Sequence, residues 1–173
     1  MAAANAGFAE VGPTVSLDEI ARRAGVGIGT LYRHFPTRDA LVEAVYRHEV
    51  DQLSEAATRL AATLPPGKAL HEWMRLFVDY ITAKKVIAAA LATVAGTTTT
   101  ELYATSGERI TAAIHLLVDR ARAAGDIRGD VDAKDLLRAL VGFTYGNAAA
   151  DWEASARRLI DILMDGLRPP APH

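Results

Sequence analysis

Residues 16–38 read SLDEIARRAGVGIGTLYRHFPTR, and the rest of the chain is organised around them. Ser16 followed three residues later by Glu19 is a capping box, in which the hydroxyl accepts from an orphan N–H and the carboxylate reaches back to the cap's own N–H. A helix therefore starts at Leu17. Its apolar residues Leu17, Ile20, Ala21 and Ala24 share one helical face, and Gly25 supplies the left-handed backbone that ends a helix at little steric cost. After the Gly25-Val26-Gly27 turn a second helix opens, with Leu31 and Phe35 on one face and Thr30, Tyr32, Arg33 and His34 around the rest. Pro36 stops it, because proline lacks the N–H and disfavours the helical conformation in the residue before it.

Two short helices joined by a glycine turn, the second with hydrogen-bonding groups near its start, have the form of a helix-turn-helix. In that form the second helix is the reader. Thr30, Tyr32 and His34 can reach phosphates and base edges, and Gly27 and Gly29 let the backbone come close to DNA. The same spacing also fits a helical hairpin in any all-α domain.

The run LDEIARRAGVGIGTLYRHFPTRDALVEAVY, residues 17–46, resembles the DNA-binding domain of the TetR family of one-component transcriptional regulators. The matching features are the Ile-Ala-x-x-Ala-Gly-Val turn, Gly-Thr-Leu-Tyr-x-His-Phe, and Pro-Thr-Arg-Asp-Ala-Leu leading into a long helix. The resemblance implies that Gly27, Ile28, Gly29, Thr30, Tyr32 and His34 face the major groove, and that Ser16, Thr37 and Arg38 hold phosphates. Two positions depart from the family pattern. A serine often stands where this chain has Gly27, and a lysine where it has Arg38; Arg38 keeps the charge, whereas Gly27 gives up a hydroxyl that would cap the helix or touch phosphate.

Working back from this stretch, Ala2 to Val11 reads as a helix that covers the motif with Ala4, Phe8 and Val11, ended by Gly12 and Pro13. Against the family it corresponds to only the second half of the first helix, so that helix is expected to be truncated. Residues 1–50 carry five arginines (Arg22, Arg23, Arg33, Arg38, Arg47) against six acids (Glu10, Asp18, Glu19, Asp39, Glu43, Glu49). That balance lacks the basic footprint of a nucleic-acid binder.

Working forward, Thr37 caps a helix carrying Leu41, Val45, Val50, Leu53, Ala57 and Leu60, which runs to the Leu64-Pro65-Pro66-Gly67 break. A broad apolar face from Leu70, Trp73, Phe77, Tyr80 and Ile81 predicts a helix over 68–83, then a short alanine-rich helix over 84–94 and a polar loop at Gly96–Thr100. Ser106 is read as the cap of the next helix, with Ile110, Ile114, Leu117, Val118 and Ala121, ending at Gly125. Asp132 caps a helix from Ala133 to about Asn147, and the last helix spans about 151–167. No segment alternates with period two, so no sheet is expected. The fold class is all-α with about nine helices: a helix-turn-helix head over 1–46, a ligand-binding and dimerisation body over 47–168 and a disordered tail over 169–173.

The whole chain has 173 residues, is 50% hydrophobic, carries a net charge of −2 and contains no cysteine. Disulfide scaffolds and thiolate metal sites are excluded, and a cytoplasmic protein without a membrane span is expected. No metal, cofactor or catalytic residues are expected, since the five histidines show no metal-ligand spacing and Gly25–Gly29 follows a helix instead of a strand.

The family resemblance implies a body that is a dimeric ligand sensor, its last two helices forming the interface. Here Leu136, Leu140, Trp152, Leu159, Ile160, Leu163 and Leu167 are the interface candidates. Trp73, Phe77, Tyr80, Ile81, Leu91, Ile114, Phe143 and Tyr145 are candidates to line an apolar pocket, with polar tips from Tyr80, Tyr145, His115 and Thr144, which suits a largely hydrophobic, neutral effector. The expected function is a ligand-responsive repressor that binds a palindromic operator in double-stranded DNA as a homodimer. The alternative is an all-α dimeric small-molecule-binding protein with weak or no DNA binding.

Overall fold

The computed structural model describes residues 1–92, 97–145 and 151–169, apart from the side chains of residues 89, 97–100 and 145. Eight helices and no strands occur among the described residues: α1 (Ala2–Val11), α2 (Leu17–Arg23), α3 (Ile28–His34), α4 (Arg38–Thr63), α5 (Pro66–Leu91), α6 (Thr97–Ala123), α7 (Ala133–Tyr145) and α8 (Trp152–Gly166). The fold is all-α, as the periodicity predicts. The chain divides into two compact units, one of Met1–Asp51 with Thr82–Ser106 and one of Gln52–Ile81 with Gly107–His173.

In the first unit α1 packs on α2 and α2 on α3. Phe8 and Ala4 of α1, Val15, Ile20 and Ala21, Leu31 of α3, and Leu41, Val42 and Val45 of α4 are buried. Val11 is not part of this core. It is 52% exposed, and the buried third position of α1 is Gly7, whose missing side chain lets Val15 and Ile20 approach. The ends of α2 follow from its sequence. Ser16 Oγ accepts from the Glu19 N–H at 3.2 Å, but the second half of the expected box is not formed, because the Glu19 carboxylate bonds Arg22 and Arg23 instead of the Ser16 N–H. Gly25, at φ +67°, closes a Schellman turn in which the Val26 N–H donates to Ala21 O and the Gly25 N–H to Arg22 O.

The second unit contains the largest buried side chains of α5. Trp73 and Met74 are fully enclosed, and Trp73 Nε1 donates to Leu53 O at 2.9 Å. Gly125, at φ +74°, closes a second Schellman turn at the end of α6, and the Gly67 N–H donates to Asp126 Oδ2 beside it. Asp132 caps α7, accepting from the Lys134 and Asp135 N–H groups at 2.8 and 3.1 Å.

Two expected boundaries are absent. The helices read as 68–83 and 84–94 are one, Pro66–Leu91, because Ala83-Lys84-Lys85 contains no residue that breaks a helix. Ser106 does not cap a helix start: α6 already begins at Thr97, and Ser106 Oγ is buried and donates to Leu102 O one turn back. Thr97–Thr100, expected in a loop, open α6 instead. Residues 93–94 of the expected helix, Gly96 of the expected loop, the end of α7 near Asn147 and the tail residues 170–173 lie outside the described residues. Among the described residues no helix is long and apolar enough to cross a membrane.

Candidate nucleic-acid interface

α3 is a helix of seven residues anchored by Leu31, its one buried side chain. The other positions face away from the core. Tyr32 is 48% exposed; Arg33 and His34 are exposed as well, and Ile28 and Thr30 are half-buried. Gly27 is the N-cap, with φ −68° and no side chain to bond the first turn. A Cβ added at Gly27 or at Gly29 would meet nothing within 4 Å. Neither glycine is therefore demanded by packing inside the chain, nor by a positive φ. The first turn of α3 offers a bare backbone surface that another molecule can approach closely.

Two further helix starts carry hydroxyl caps. Ser16 caps α2, and Thr37 Oγ1 accepts from the Ala40 N–H at 3.1 Å at the start of α4. Both hydroxyls belong to exposed residues. Orphan N–H groups and the positive end of the helix dipole at such starts favour phosphate oxygens.

Most cations of this unit are tied to its own chain. Glu19 accepts from Arg22 (2.8 and 2.9 Å) and from Arg23 (2.7 Å), and Arg23 also reaches Glu10 of α1 at 2.6 Å. These bonds, Arg23's first and then Arg22's, hold the Glu19 carboxyl below its ordinary value; Glu10 and then Glu19 push Arg23 higher still. The spacing of Glu19 to Arg22 and Arg23, three and four residues on one helix, is the sequence signal for this cluster. Arg33 Nε donates back to Gly29 O at 3.3 Å. Arg38, expected to hold phosphate, donates instead from its two terminal nitrogens to Val15 O and Pro13 O and lies 5.6 Å from the centroid of the Phe8 ring. No local pattern signals those partners, which are more than twenty residues away.

Residues 1–45 match the sequence model described as bacterial regulatory proteins, tetR family, and residues 65–169 match the C-terminal domain of SbtR-like transcriptional regulators. Over nearly its whole length the chain is similar to a TetR transcriptional regulator from Streptomyces coelicolor, at 46% identity and a TM-score of 0.87, covering 98% of this chain and 97% of that one. The chain belongs to the TetR family. A TetR regulatory protein from Mycobacterium vanbaalenii is 34% identical with a TM-score of 0.80, over 97% of this chain and 92% of its own. The HTH-type transcriptional repressor LfrR of Mycolicibacterium smegmatis is 47% identical over 57 residues, 33% of this chain and 30% of that protein. A second HTH-type regulator, from Staphylococcus aureus, matches over 21% of its length, so each of these two curated relatives is matched over less than a third of itself. TetR family members are DNA-binding transcriptional regulators, and this chain is one of them.

In this TetR family chain the residues expected to contact an effector lie mainly in the second unit. Trp73, Phe77, Tyr80 and Ile81 are buried along α5, with ring centroids 6.0 Å apart for Trp73 and Phe77 and 5.8 Å for Phe77 and Tyr80. Ile114 is buried on α6, His115 beside it is half-buried, and Phe143 is half-buried on α7. Leu91 is buried in the first unit, and the Tyr145 side chain lies outside the described residues. An open cleft of about 500 Å³ in the second unit is lined by other residues, among them Gly67, Lys68, Asp126 and the His71–Asp161 pair at 2.7 Å.

The interface candidates separate by burial. Leu136, Leu140, Ile160 and Leu167 are buried within the chain, where α7 packs on α8. Trp152 and Leu163 are half-buried, and Leu159 is exposed. Val141 on α7 and Ile162 on α8, which are not among the interface candidates, also carry apolar surface outward, the latter 66% exposed.

Proposed function

We propose that this TetR family regulator acts as a repressor: a homodimer that grips a palindromic operator with α3 and releases it when a small, largely hydrophobic effector binds the body. The observation that carries the DNA-reading part is the outer face of α3. Gly27 and Gly29 have no internal reason to be glycine, and Tyr32 projects beside them. With Ile28, Thr30 and His34 they form the base-reading surface, and the capped helix starts at Ser16 and Thr37 hold phosphates on either side.

Dimerisation is supported by the outward apolar side chains of α7 and α8, Val141, Leu159 and Ile162 with the half-buried Leu163, an arrangement suited to an isologous contact. Two readers on one dimer gain avidity over a palindrome. Trp73, Phe77, Tyr80, Ile81, Leu91, Ile114, His115, Phe143 and Tyr145 remain the proposed effector contacts, and the repressor role is supported by the similarity to LfrR, an HTH-type transcriptional repressor. α4 runs from one unit into the other, so a ligand that favours one spacing of the two readers weakens DNA binding by its differential affinity for the two spacings.

A second reading rests on one observation: Arg22, Arg23, Arg33 and Arg38 all bond acceptors of their own chain, so this unit carries little free positive charge. It is a dimeric small-molecule-binding protein that grips DNA weakly. One experiment separates the two. Binding to the DNA upstream of its own gene is measured by anisotropy at two salt concentrations for the wild type and for Tyr32→Ala. The repressor reading expects specific, steeply salt-dependent binding that Tyr32→Ala weakens by about ten- to a hundredfold. Salt-insensitive or sequence-indifferent binding supports the second reading.

A further inference from the structure

We propose that Arg38 is a positioning residue for DNA binding and not a phosphate contact: its guanidinium is a clip that fixes the start of α2 against the start of α4. The inference rests on the DNA-reading proposal and adds to it a role for a residue that the family resemblance assigns to phosphate.

Arg38 is the first residue of α4, directly after the Thr37 cap. Its two terminal nitrogens donate to Pro13 O and Val15 O, the last turn of chain before the Ser16 cap of α2. Gly12 sits at φ +93°, and the Val15 N–H bonds Gly12 O at 3.2 Å. The carbonyls of Pro13 and Val15 belong to no helix and are not bonded by any other group described here. The guanidinium carbon also lies 5.6 Å from the centroid of the Phe8 ring, and Phe8 is 2% exposed. One side chain thus joins three parts of the unit: the ring of α1, the loop before α2 and the first residue of α4.

The geometry matters because Ser16 and Thr37 are the two capped helix starts that flank α3 in sequence. Phosphates along a duplex are at fixed separations, so two helix starts can both engage them only if their own separation is fixed. A planar fork that bonds two carbonyls sets that separation; a lysine in its place has a point charge on a flexible stem and cannot hold both carbonyls in that geometry. With both terminal nitrogens on carbonyls of its own chain, the fork is aimed at the loop before α2.

The test compares Arg38→Lys, Arg38→Ala and Ile20→Val, the last a core control that lowers stability without touching the loop. For each, anisotropy titrations on the upstream duplex give affinity and the slope of log K against log salt, at a temperature where circular dichroism shows all four fully folded. Amide hydrogen exchange is followed at residues 15–18. A clip predicts that Arg38→Lys and Arg38→Ala both lose about tenfold in affinity, keep the wild-type salt slope and exchange faster at 15–18. Ile20→Val, despite a fall of a few degrees in Tm, keeps its affinity. A direct phosphate contact predicts the opposite pattern: Arg38→Lys binds as the wild type does and Arg38→Ala loses about 0.9 of salt slope. That result, or unchanged affinity in both variants, overturns the clip. If the wild type itself shows no specific binding, the DNA reading fails and the positioning role falls with it, a result distinct from all the others.

Discussion

α3 and α5 use similar residue types for opposite ends. α3 has seven residues, buries Leu31 alone and leaves Tyr32 half in water with two glycines beside it. α5 has 26 residues, encloses Trp73, Met74, Phe77, Val78 and Tyr80, and gives the one Trp73 donor to a backbone carbonyl. An aromatic ring on α5 is accounted for by the packing around it, whereas Tyr32 on α3 is not. On the face offered to DNA, the contact residue is thus the one whose side chain the chain itself leaves unsatisfied.

The sharpest way to break this contrast is at Trp73. Trp73→Ala removes a fully buried ring and leaves a cavity, and is expected to cost about 3–5 kcal/mol in urea unfolding. A loss below about 1 kcal/mol would mean that α5 is not core in the sense argued. Tyr32→Ala should do the reverse: stability within about 0.5 kcal/mol of wild type, and DNA binding weaker by about 1–3 kcal/mol. Gly29→Ala sharpens the same point from the other side. The helix gains from alanine, so thermal unfolding is expected to report a stabilisation of up to about 1 kcal/mol, while DNA affinity falls because the added methyl meets the partner and nothing else.

The smallest effect concerns pH. Asp132 is held below its ordinary value by the Asp135 and then the Lys134 N–H groups that it accepts from. A carboxyl with a lowered folded pKa contributes stability that is complete above its unfolded value and disappears as pH falls through the folded one. Asp132→Asn keeps a capping side chain but cannot titrate. Its Tm should match the wild type near neutrality and decline less steeply below about pH 4. Parallel acid limbs for the two proteins would rule this out.

The local signals were legible because each acts within a turn of helix. The Ser16 cap, Gly25, Pro36, the Pro65-Pro66 break, Gly125 and the Asp132 cap set helix ends by contacts between residues a few positions apart. Signals failed where nothing local decides. Ala83-Lys84-Lys85 continues a helix as readily as it links two, and Ser106 bonds its own preceding turn as readily as it caps. Apolar spacing shows that α7 and α8 each have a sticky face but not which residues turn inward. Leu136, Leu140 and Ile160 do, and Val141, Leu159 and Ile162 do not.

The sequence by itself determined an all-helical chain, the helix-turn-helix and the family, because turn chemistry and helical period are short-range and Ser16 to Tyr46 is a long specific pattern. Only the tertiary structure decided what the side chains do with that pattern. Arg38 faces two carbonyls from residues 13 and 15, Trp73 donates to Leu53, and Val11 is left in water. Those outcomes depend on which groups far apart in the chain arrive at the same place, and a charge or a ring carries no record of its partner until packing brings the two together.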